Sequence, residues 1–274
     1  MKTTYFYIPL QKLGWLYQDL VIDDKRKIRF IDEVKKESHQ LKALGLHEAL
    51  GGRYKTCLIL KQEVSKDDTG FEYISEIYKT IAFFRLFLNQ DIGFEKVYLL
   101  NQVSGEKSEC FIQKSSLSSE EKQIINDWRK YTRLYDTKPT VFHWYSRVQG
   151  SLPPNERIVF LCVALEGLLL KEQTQELKYR FSLRGAYLLA NLPEDRTGLM
   201  KFFQQVYDYR SAIVHCDKKR EIKLITEIGS ISKFTAILGN YTARLLKLYI
   251  NHPESFAEID EFILKGESPI KNTI

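Results

Sequence analysis

The chain has 274 residues, of which 44% are apolar, so it is long enough for one large or two ordinary folded domains. Its net charge of +6 arises from 41 basic and 35 acidic residues spread over the whole length, which permits RNA as a partner without requiring it. The first residues lack the apolar core of a signal peptide, and the most apolar stretch, 158–170, is interrupted by Glu166 and too short to cross a bilayer. We therefore expect a cytoplasmic protein that does not bind membranes.

The residue patterns that usually hold metals and cofactors are missing from the sequence. The four cysteines, Cys57, Cys110, Cys162 and Cys216, have neither zinc-ligand nor disulfide-framework spacing, and three of them lie in apolar runs typical of small core residues. No glycine-rich nucleotide loop and no G-x-S-x-G segment occur. We therefore expect neither a metal nor a cofactor.

Residues 1–115 predict an α+β module. An aromatic edge strand that ends at Pro9 is followed by a hairpin that turns near Asp23 and Asp24. Apolar residues at helical spacing predict an amphipathic helix over 71–89. Further strand patterns cover 54–61, 97–103 and 109–113. The role of this module is open between sensing a trigger and selecting RNA.

Residues 116–274 predict an all-α domain, which opens with a helix-start pattern after the polar stretch 115–119. The predicted helices cover 119–135, 139–149, 155–172, 175–191, 195–216, 221–250 and 254–265. The helix at 155–172 is apolar on nearly every face, which is typical of the centre of a bundle. We expect Glu166, which lies on this helix, to be buried. A buried carboxylate needs a partner, for which Arg180 and Arg184 are candidates. Such a pair would either fix the register of the helices or anchor a functional site.

The most informative segment reads Y-D-Y-R-S-A-I-V-H and ends at His215. Tyr207, Ser211 and His215 lie four residues apart on one stripe of a helix, and Arg210 adjoins that stripe. An arginine offers forked donors to a phosphate, and a histidine can move a proton near neutral pH. Because Arg210 and His215 are about 140° apart on a regular helix, the arginine must reach around or the helix must end near Val214.

Three segments occur in a characteristic order: an apolar helix with a Leu-Glu pair (156–170), an arginine-rich helix (176–190) and the Tyr-x-x-Arg-Ser-x-Ile-Val-His segment. Their combination, over residues 150–251, resembles the Apea-like branch of the HEPN superfamily. The resemblance implies a helical bundle and a metal-independent endoribonuclease in which Arg210 and His215 are catalytic. The residues that would support them are Ser211, Tyr207, Glu166 and Arg184. The chain departs from the family at Cys216, where the branch usually has glycine, and at Ser211, where many of its nucleases carry Asn, Asp or His.

The resemblance also implies a reaction and an assembly. The 2′-oxygen of RNA would attack the phosphorus and leave a 2′,3′-cyclic phosphate and a 5′-hydroxyl. No metal would be required, because the nucleophile belongs to the RNA. Two protomers would join through the bundle, with both Arg/His pairs lining one cleft, in phage defence or a toxin system. The predicted helix 221–250 carries more apolar residues than one intramolecular face needs, which favours the same homodimer.

Two alternatives stay open at this point. The basic residues Lys218, Lys219, Arg220 and Lys223 either contact RNA phosphates or form a solvated helix start. The whole domain is either an active nuclease or a catalytically silent HEPN protein that serves as a dimeric RNA-binding or assembly scaffold. In the silent protein Arg210 would pair with a carboxylate such as Glu166 or Asp208, and His215 would cap the end of its helix.

Overall fold

The computed structural model describes residues 2–10, 20–30, 56–64, 71–88, 92, 97–101, 116–148, 152–170 and 175–267. The chain divides into two compact units, Met1–Thr132 and Arg133–Ile274. Among the described residues, the first unit contains a sheet with helices, and the second contains helices without strands. This order agrees with the predicted α+β part followed by a helical part. No helix in the described ranges has the length and apolar character needed to cross a membrane.

The first unit is built on an antiparallel sheet. Its strands are β1 (Lys2–Leu10), β2 (Leu20–Asp23), β3 (Arg26–Phe30), β4 (Thr56–Val64) and β5 (Tyr98–Asn101), in the spatial order β2-β3-β4-β1-β5. The predicted hairpin is confirmed, with β2 and β3 joined by a turn at Asp24 and Lys25. The predicted strand at 54–61 corresponds to β4, and the predicted strand 109–113 and Cys110 lie outside the described residues.

The prediction that the first strand is an edge strand is wrong. Strand β1 lies between β4 and β5 and pairs with both. Strand β5, however, pairs only with the stretch Thr4–Tyr7, so Pro9 has a described neighbour on one side alone. A proline has no N–H to donate, and Pro9 stands one residue before the end of β1, where it removes the fewest hydrogen bonds from the sheet.

Two helices follow the predicted positions, α1 (Phe71–Leu88) and α2 (Ser119–Tyr135). The start of α2 is a reciprocal capping box. The Ser118 hydroxyl accepts from the Glu121 N–H (3.1 Å), and the Glu121 carboxylate accepts from the Ser118 N–H (2.9 Å). The predicted helix-start pattern is therefore confirmed.

Helix α2 packs on the first unit, although the sequence places the domain junction before it, at 115/116. The Trp128 indole donates to Asp23 (2.9 Å), and the Tyr131 hydroxyl donates to the carbonyl of Lys79 (2.9 Å). Arg26 lies over the Trp128 ring at 4.6 Å and donates to Asp23. These contacts bind most of α2 to the sheet unit, so the division between the units falls within α2, at 132/133.

The second unit is a bundle. Its helices are α3 (Pro139–Arg147), α4 (Pro154–Leu169), α5 (Leu177–Leu189), α6 (Asp195–Val214), α7 (Lys218–Ile228), α8 (Ile231–Asn251), α9 (Pro253–Ala257) and α10 (Ile259–Lys265). Helix α4 packs against α3, α5, α6 and α8, which confirms the predicted central helix. Helices α5 and α6 approach closely at Gly185, where an added Cβ would lie 2.9 Å from the Phe203 ring.

The predicted single helix over 221–250 is wrong, because two helices occupy this stretch. The first ends at Gly229, which has a positive φ of 78°, a conformation that favours glycine. Ser230 then caps the second, accepting from the N–H of Lys233 (3.4 Å). The predicted helix at 254–265 is likewise divided, into α9 and α10.

The apolar residues of this region serve the bundle itself. Leu224, Phe234, Leu238 and Leu245 are buried within the single chain. The apolar surplus that favoured a homodimer is therefore largely absorbed by the intramolecular core. The apolar side chains that stay exposed on these helices are others, namely Ile222 and Ile237.

Candidate functional site

The C-terminal end of α6 positions His215. Cys216 follows in the left-handed region, with φ of 55°, and its N–H donates to the carbonyl of Ile213 (3.1 Å). The N–H of Asp217 donates to the carbonyl of Ala212 (2.9 Å). These two bonds form a Schellman motif, in which the left-handed position favours glycine. Glycine would adopt this conformation without steric cost, and Cys216 adopts it despite its Cβ.

Because α6 ends at Val214, His215 is the cap residue and its side chain is exposed. The sequence left open whether Arg210 reaches around the helix or the helix ends near Val214, and the observed end matches the second possibility. His215 at a helix C-terminus is also what the silent alternative predicts.

Arg210 is held from the central helix. Its Nη2 donates to Oε2 of Glu166 at 3.3 Å, and the two side chains are 23% and 20% exposed. The Nε of Arg210 is buried and has no hydrogen-bond partner among the described residues. The guanidinium is thus anchored by one ion pair while part of it stays accessible. The silent alternative predicted this pairing, whereas the nuclease requires that part of the guanidinium stays accessible, as it does here.

The carboxyl of Glu166 is only partly buried, whereas the sequence predicted a buried one. Burial raises the pKa of Glu166 above its ordinary value, while Arg210 and a long contact from the Cys162 thiol (3.9 Å) oppose that rise. Because the net shift of the Glu166 pKa is upward, the ion pair with Arg210 does not fully offset the lost hydration of the carboxylate. Burial also raises the pKa of Cys162, so this thiol stays protonated and belongs to the core, as predicted.

The predicted partners of Glu166 are wrong. Arg184 is 1% exposed and donates to both carboxylate oxygens of Asp260 (2.8 and 2.6 Å) and to the carbonyl of Leu169 (2.6 Å). Arg180 lies 3.6 Å from Glu176 on its own helix. Helix α5 packs against α10, and Arg184 on α5 binds Asp260 on α10. This arginine therefore fixes the C-terminal helix rather than supporting the site.

The two remaining supporting residues lie on the predicted stripe of α6. The Tyr207 ring packs 5.7 Å from that of Phe181, and burial followed by the charge of Glu166 raises the pKa of the Tyr207 phenol. The phenol therefore stays protonated at neutral pH and can donate a hydrogen bond. Ser211 is half-buried on the same stripe.

Asp208, which the silent alternative offered as a partner of Arg210, pairs instead with two other cations. Its Oδ2 accepts from Nζ of Lys178 and its Oδ1 accepts from Nη2 of Arg220, both at 2.6 Å. It therefore joins α6 to α5 and α7. Its place inside the motif was the only sequence signal, because the two cations come from 30 residues before it and 12 residues after it.

Helix α7 is fixed on the bundle by a second polar network. The Tyr209 hydroxyl donates to Asn155 (2.9 Å), and the Asn155 amide donates to Glu221 (3.4 Å). Glu221 also accepts from Lys218 at 2.7 Å. The buried carboxylate of Glu221 thereby ties the start of α7 to α4 and α6, which holds its basic residues next to the end of α6.

The predicted basic patch is mostly engaged in ion pairs. Lys218 pairs with Glu221, Arg220 with Asp208, and Lys223 with Glu227 at 3.9 Å. Lys219 is exposed and forms no ion pair with a described residue. All four side chains remain accessible, and surface pairs of this kind contribute only about 0–1 kcal/mol, so an RNA phosphate can compete for them.

Comparisons of the chain with protein-family models, with curated proteins and with solved structures find no match. The HEPN resemblance therefore rests on the motifs within residues 150–251. In the described part of the chain, His, Cys, Asp and Glu side chains form no cluster that could hold a metal ion.

Proposed function

We propose that the chain is a metal-independent endoribonuclease of the HEPN type. The observation that carries the proposal is the arrangement at the end of α6. A partly accessible arginine, Arg210, is held by one ion pair, and an exposed histidine, His215, caps the same helix beside the basic start of α7. Cleavage by a nucleophile of the substrate itself needs a cation with several N–H donors for the phosphate and a side chain that can exchange a proton with the substrate.

In the proposed reaction the 2′-oxygen of RNA bonds to the adjacent phosphorus while the bond from phosphorus to the 5′-oxygen breaks. His215 accepts the proton of the 2′-hydroxyl, and a proton is delivered to the departing 5′-oxygen. Arg210 stabilises the negative charge on the non-bridging oxygens. The products are a 2′,3′-cyclic phosphate and a 5′-hydroxyl. The Tyr207 phenol lies one turn before Arg210 on α6, where it is a further hydrogen-bond donor on the same side of the helix.

The family resemblance extends the proposal to a homodimer in which both Arg/His pairs face one cleft. A second histidine would then supply the proton for the 5′-oxygen. The setting we propose is a cytoplasmic defence or toxin system. The N-terminal unit would sense a trigger or select RNA, and a cavity of about 300 Å³ beside Arg26, Gln62 and Glu76 offers a place where a small molecule could bind.

A second candidate is a catalytically silent HEPN protein that binds RNA or assembles with partners. The Arg210–Glu166 ion pair favours it, because that contact occupies the arginine in the single chain. The two candidates differ in whether RNA displaces Glu166 from part of the guanidinium. They also differ in whether His215 exchanges protons with a substrate.

Incubation of the pure protein with total RNA in excess EDTA tests the proposal. The nuclease should produce fragments with cyclic phosphate and 5′-hydroxyl ends and should leave DNA intact. Strict magnesium dependence, or equal cleavage of a DNA analogue, would overturn the mechanism. Intact RNA at every protein concentration, combined with retained RNA binding, would favour the silent scaffold.

A further inference from the structure

One face of α6 forms a polar stripe that leads away from His215. Gln204, Asp208, Ser211 and His215 all project within about 60° of one another on a regular helix. Each of these side chains is at least partly accessible. Asp208 lies about 10 Å from His215 along the helix axis. An extended ligand that reaches His215 can therefore continue along this stripe.

Two cations converge on the stripe from neighbouring helices. Lys178 reaches one oxygen of Asp208 from α5, and Arg220 reaches the other from α7. Both cations are 45% exposed, while Asp208 is 19% exposed. An ammonium has three donors and a guanidinium five, so both keep donors for a further acceptor. The three groups together carry one net positive charge.

The ion pairs themselves add little stability, because exposed pairs contribute about 0–1 kcal/mol. Their main physical effect is to hold two long, flexible side chains at one place. An anion with several acceptor oxygens, such as a phosphate, can bridge two cations held in this way. Asp208 thus reduces the ordering that a bound phosphate would otherwise impose on Lys178 and Arg220.

Gln204, at the end of the stripe farthest from His215, lines a shallow and open depression of about 350 Å³. Lys178, Tyr179 and Gln204 line it together with Glu176 and Leu177. Tyr179 is 51% exposed, so its ring is accessible at this depression. An accessible aromatic ring next to phosphate-binding cations is the common arrangement for binding a single nucleic-acid strand.

We propose that single-stranded RNA lies along this face of α6, with one phosphate between Lys178 and Arg220 and one base against Tyr179. Asp208 is the positioning residue that holds the two cations. The inference rests on the proposed function, because it takes the scissile phosphate to lie at His215. Duplex RNA does not fit this face, since its bases are stacked on each other and cannot lie on Tyr179.

Binding of a labelled single-stranded RNA with every 2′-hydroxyl methylated, which blocks cleavage, tests the inference by fluorescence anisotropy at several salt concentrations. Lys178→Gln and Arg220→Gln should each reduce the slope of log K against log salt by about 0.7, the value for one phosphate contact on a single strand. Lys265→Gln is the matched control, because Lys265 is an exposed lysine in an ion pair with Glu261 on α10. It should leave the slope unchanged.

Tyr179→Leu should weaken binding of the same RNA at least about fivefold, because it removes the stacking of one base.

The substitution Asp208→Asn shows whether Asp208 positions the two cations or acts on RNA binding only through its negative charge. If Asp208 acted only by its charge, removing it would tighten the binding of an anionic strand. If it positions the two cations, binding should weaken and the salt slope should fall. Tighter binding, or the same slopes for Lys178→Gln, Arg220→Gln and the control, would overturn the inference. Because the probe cannot be cleaved, these results do not depend on catalysis. Reduced slopes in a protein that cleaves no RNA would leave the inference standing and refute only the nuclease.

Discussion

Glu166 on the central helix and Arg210 on α6 form an ion pair of 3.3 Å across 44 residues of sequence, and both side chains keep about a fifth of their surface exposed. The arginine that the motif singles out is therefore oriented by a partner on another helix. The pair places the guanidinium without enclosing it, and this partial accessibility leads to different expectations for stability and for activity.

Arg210→Ala and His215→Ala should each lower RNA cleavage by about a hundredfold or more, because they remove charge stabilisation and proton transfer. The free energy of unfolding should change by less than about 1 kcal/mol, since both side chains are accessible. His252→Ala is the matched control, because His252 caps the end of α8 as His215 caps α6. The control should keep full activity. Loss of folding in both site variants, or equal activity in all three, would contradict the expectation.

Glu166→Gln should change the free energy of unfolding by less than about 1 kcal/mol at neutral pH, because the partly exposed Arg210 stays hydrated when its partner is neutralised. The pH dependence has a defined sign. The folded-state pKa of Glu166 is raised above the unfolded value of about 4.3, so its contribution to stability is present below that value and is lost as the pH rises through the folded pKa. Urea unfolding at several pH values should show the wild type losing stability relative to Glu166→Gln as the pH rises through this window. A relative gain would contradict the raised pKa.

Cys216→Gly should stabilise the protein by about 0.5–1 kcal/mol, because glycine adopts the left-handed conformation at Cys216 without steric cost. Cys216→Ala is the control for loss of the thiol and should change stability little, because alanine keeps the backbone strain. Val214→Gly is the control for added chain entropy and should cost roughly 0.3–0.5 kcal/mol within the last turn of α6, the difference in helix propensity between valine and glycine. Thermal unfolding measures all three, and a Cys216→Gly protein less stable than Cys216→Ala would disagree with this assignment.

The Arg184–Asp260 pair should respond unequally to removal of its two members. Asp260→Ala leaves the fully buried guanidinium of Arg184 without a counter-charge and should cost about 3–5 kcal/mol. Arg184→Met leaves a carboxylate that is 48% exposed and can be hydrated, so the main loss is the hydrogen bond to Leu169, about 1–3 kcal/mol. Denaturant unfolding of the two variants gives the comparison. A larger loss for Arg184→Met would contradict the burial difference.

Local sequence patterns determined most of the helix positions. The pattern that begins with Ser118 and Glu121 predicted the start of α2, and the observed reciprocal hydrogen bonds follow from residues three apart. The apolar run of α4 likewise predicted a central helix. Such signals work because capping and amphipathicity depend on neighbours within one or two turns. The break at Gly229 had a local signal too, but the apolar periodicity on both sides of it favoured one continuous helix.

The tertiary structure alone decided which charged groups meet. The sequence offered Arg180 and Arg184 as partners of Glu166, yet Glu166 pairs with Arg210, and Arg184 pairs with Asp260, 76 residues away. Ion pairs form between helix faces that the packing of the bundle brings together, and the periodicity of one helix does not state which neighbour its polar side will face. The sequence by itself thus determined where the arginine and histidine of the motif lie along α6, and the packing of α4, α5 and α7 around α6 decided what holds them.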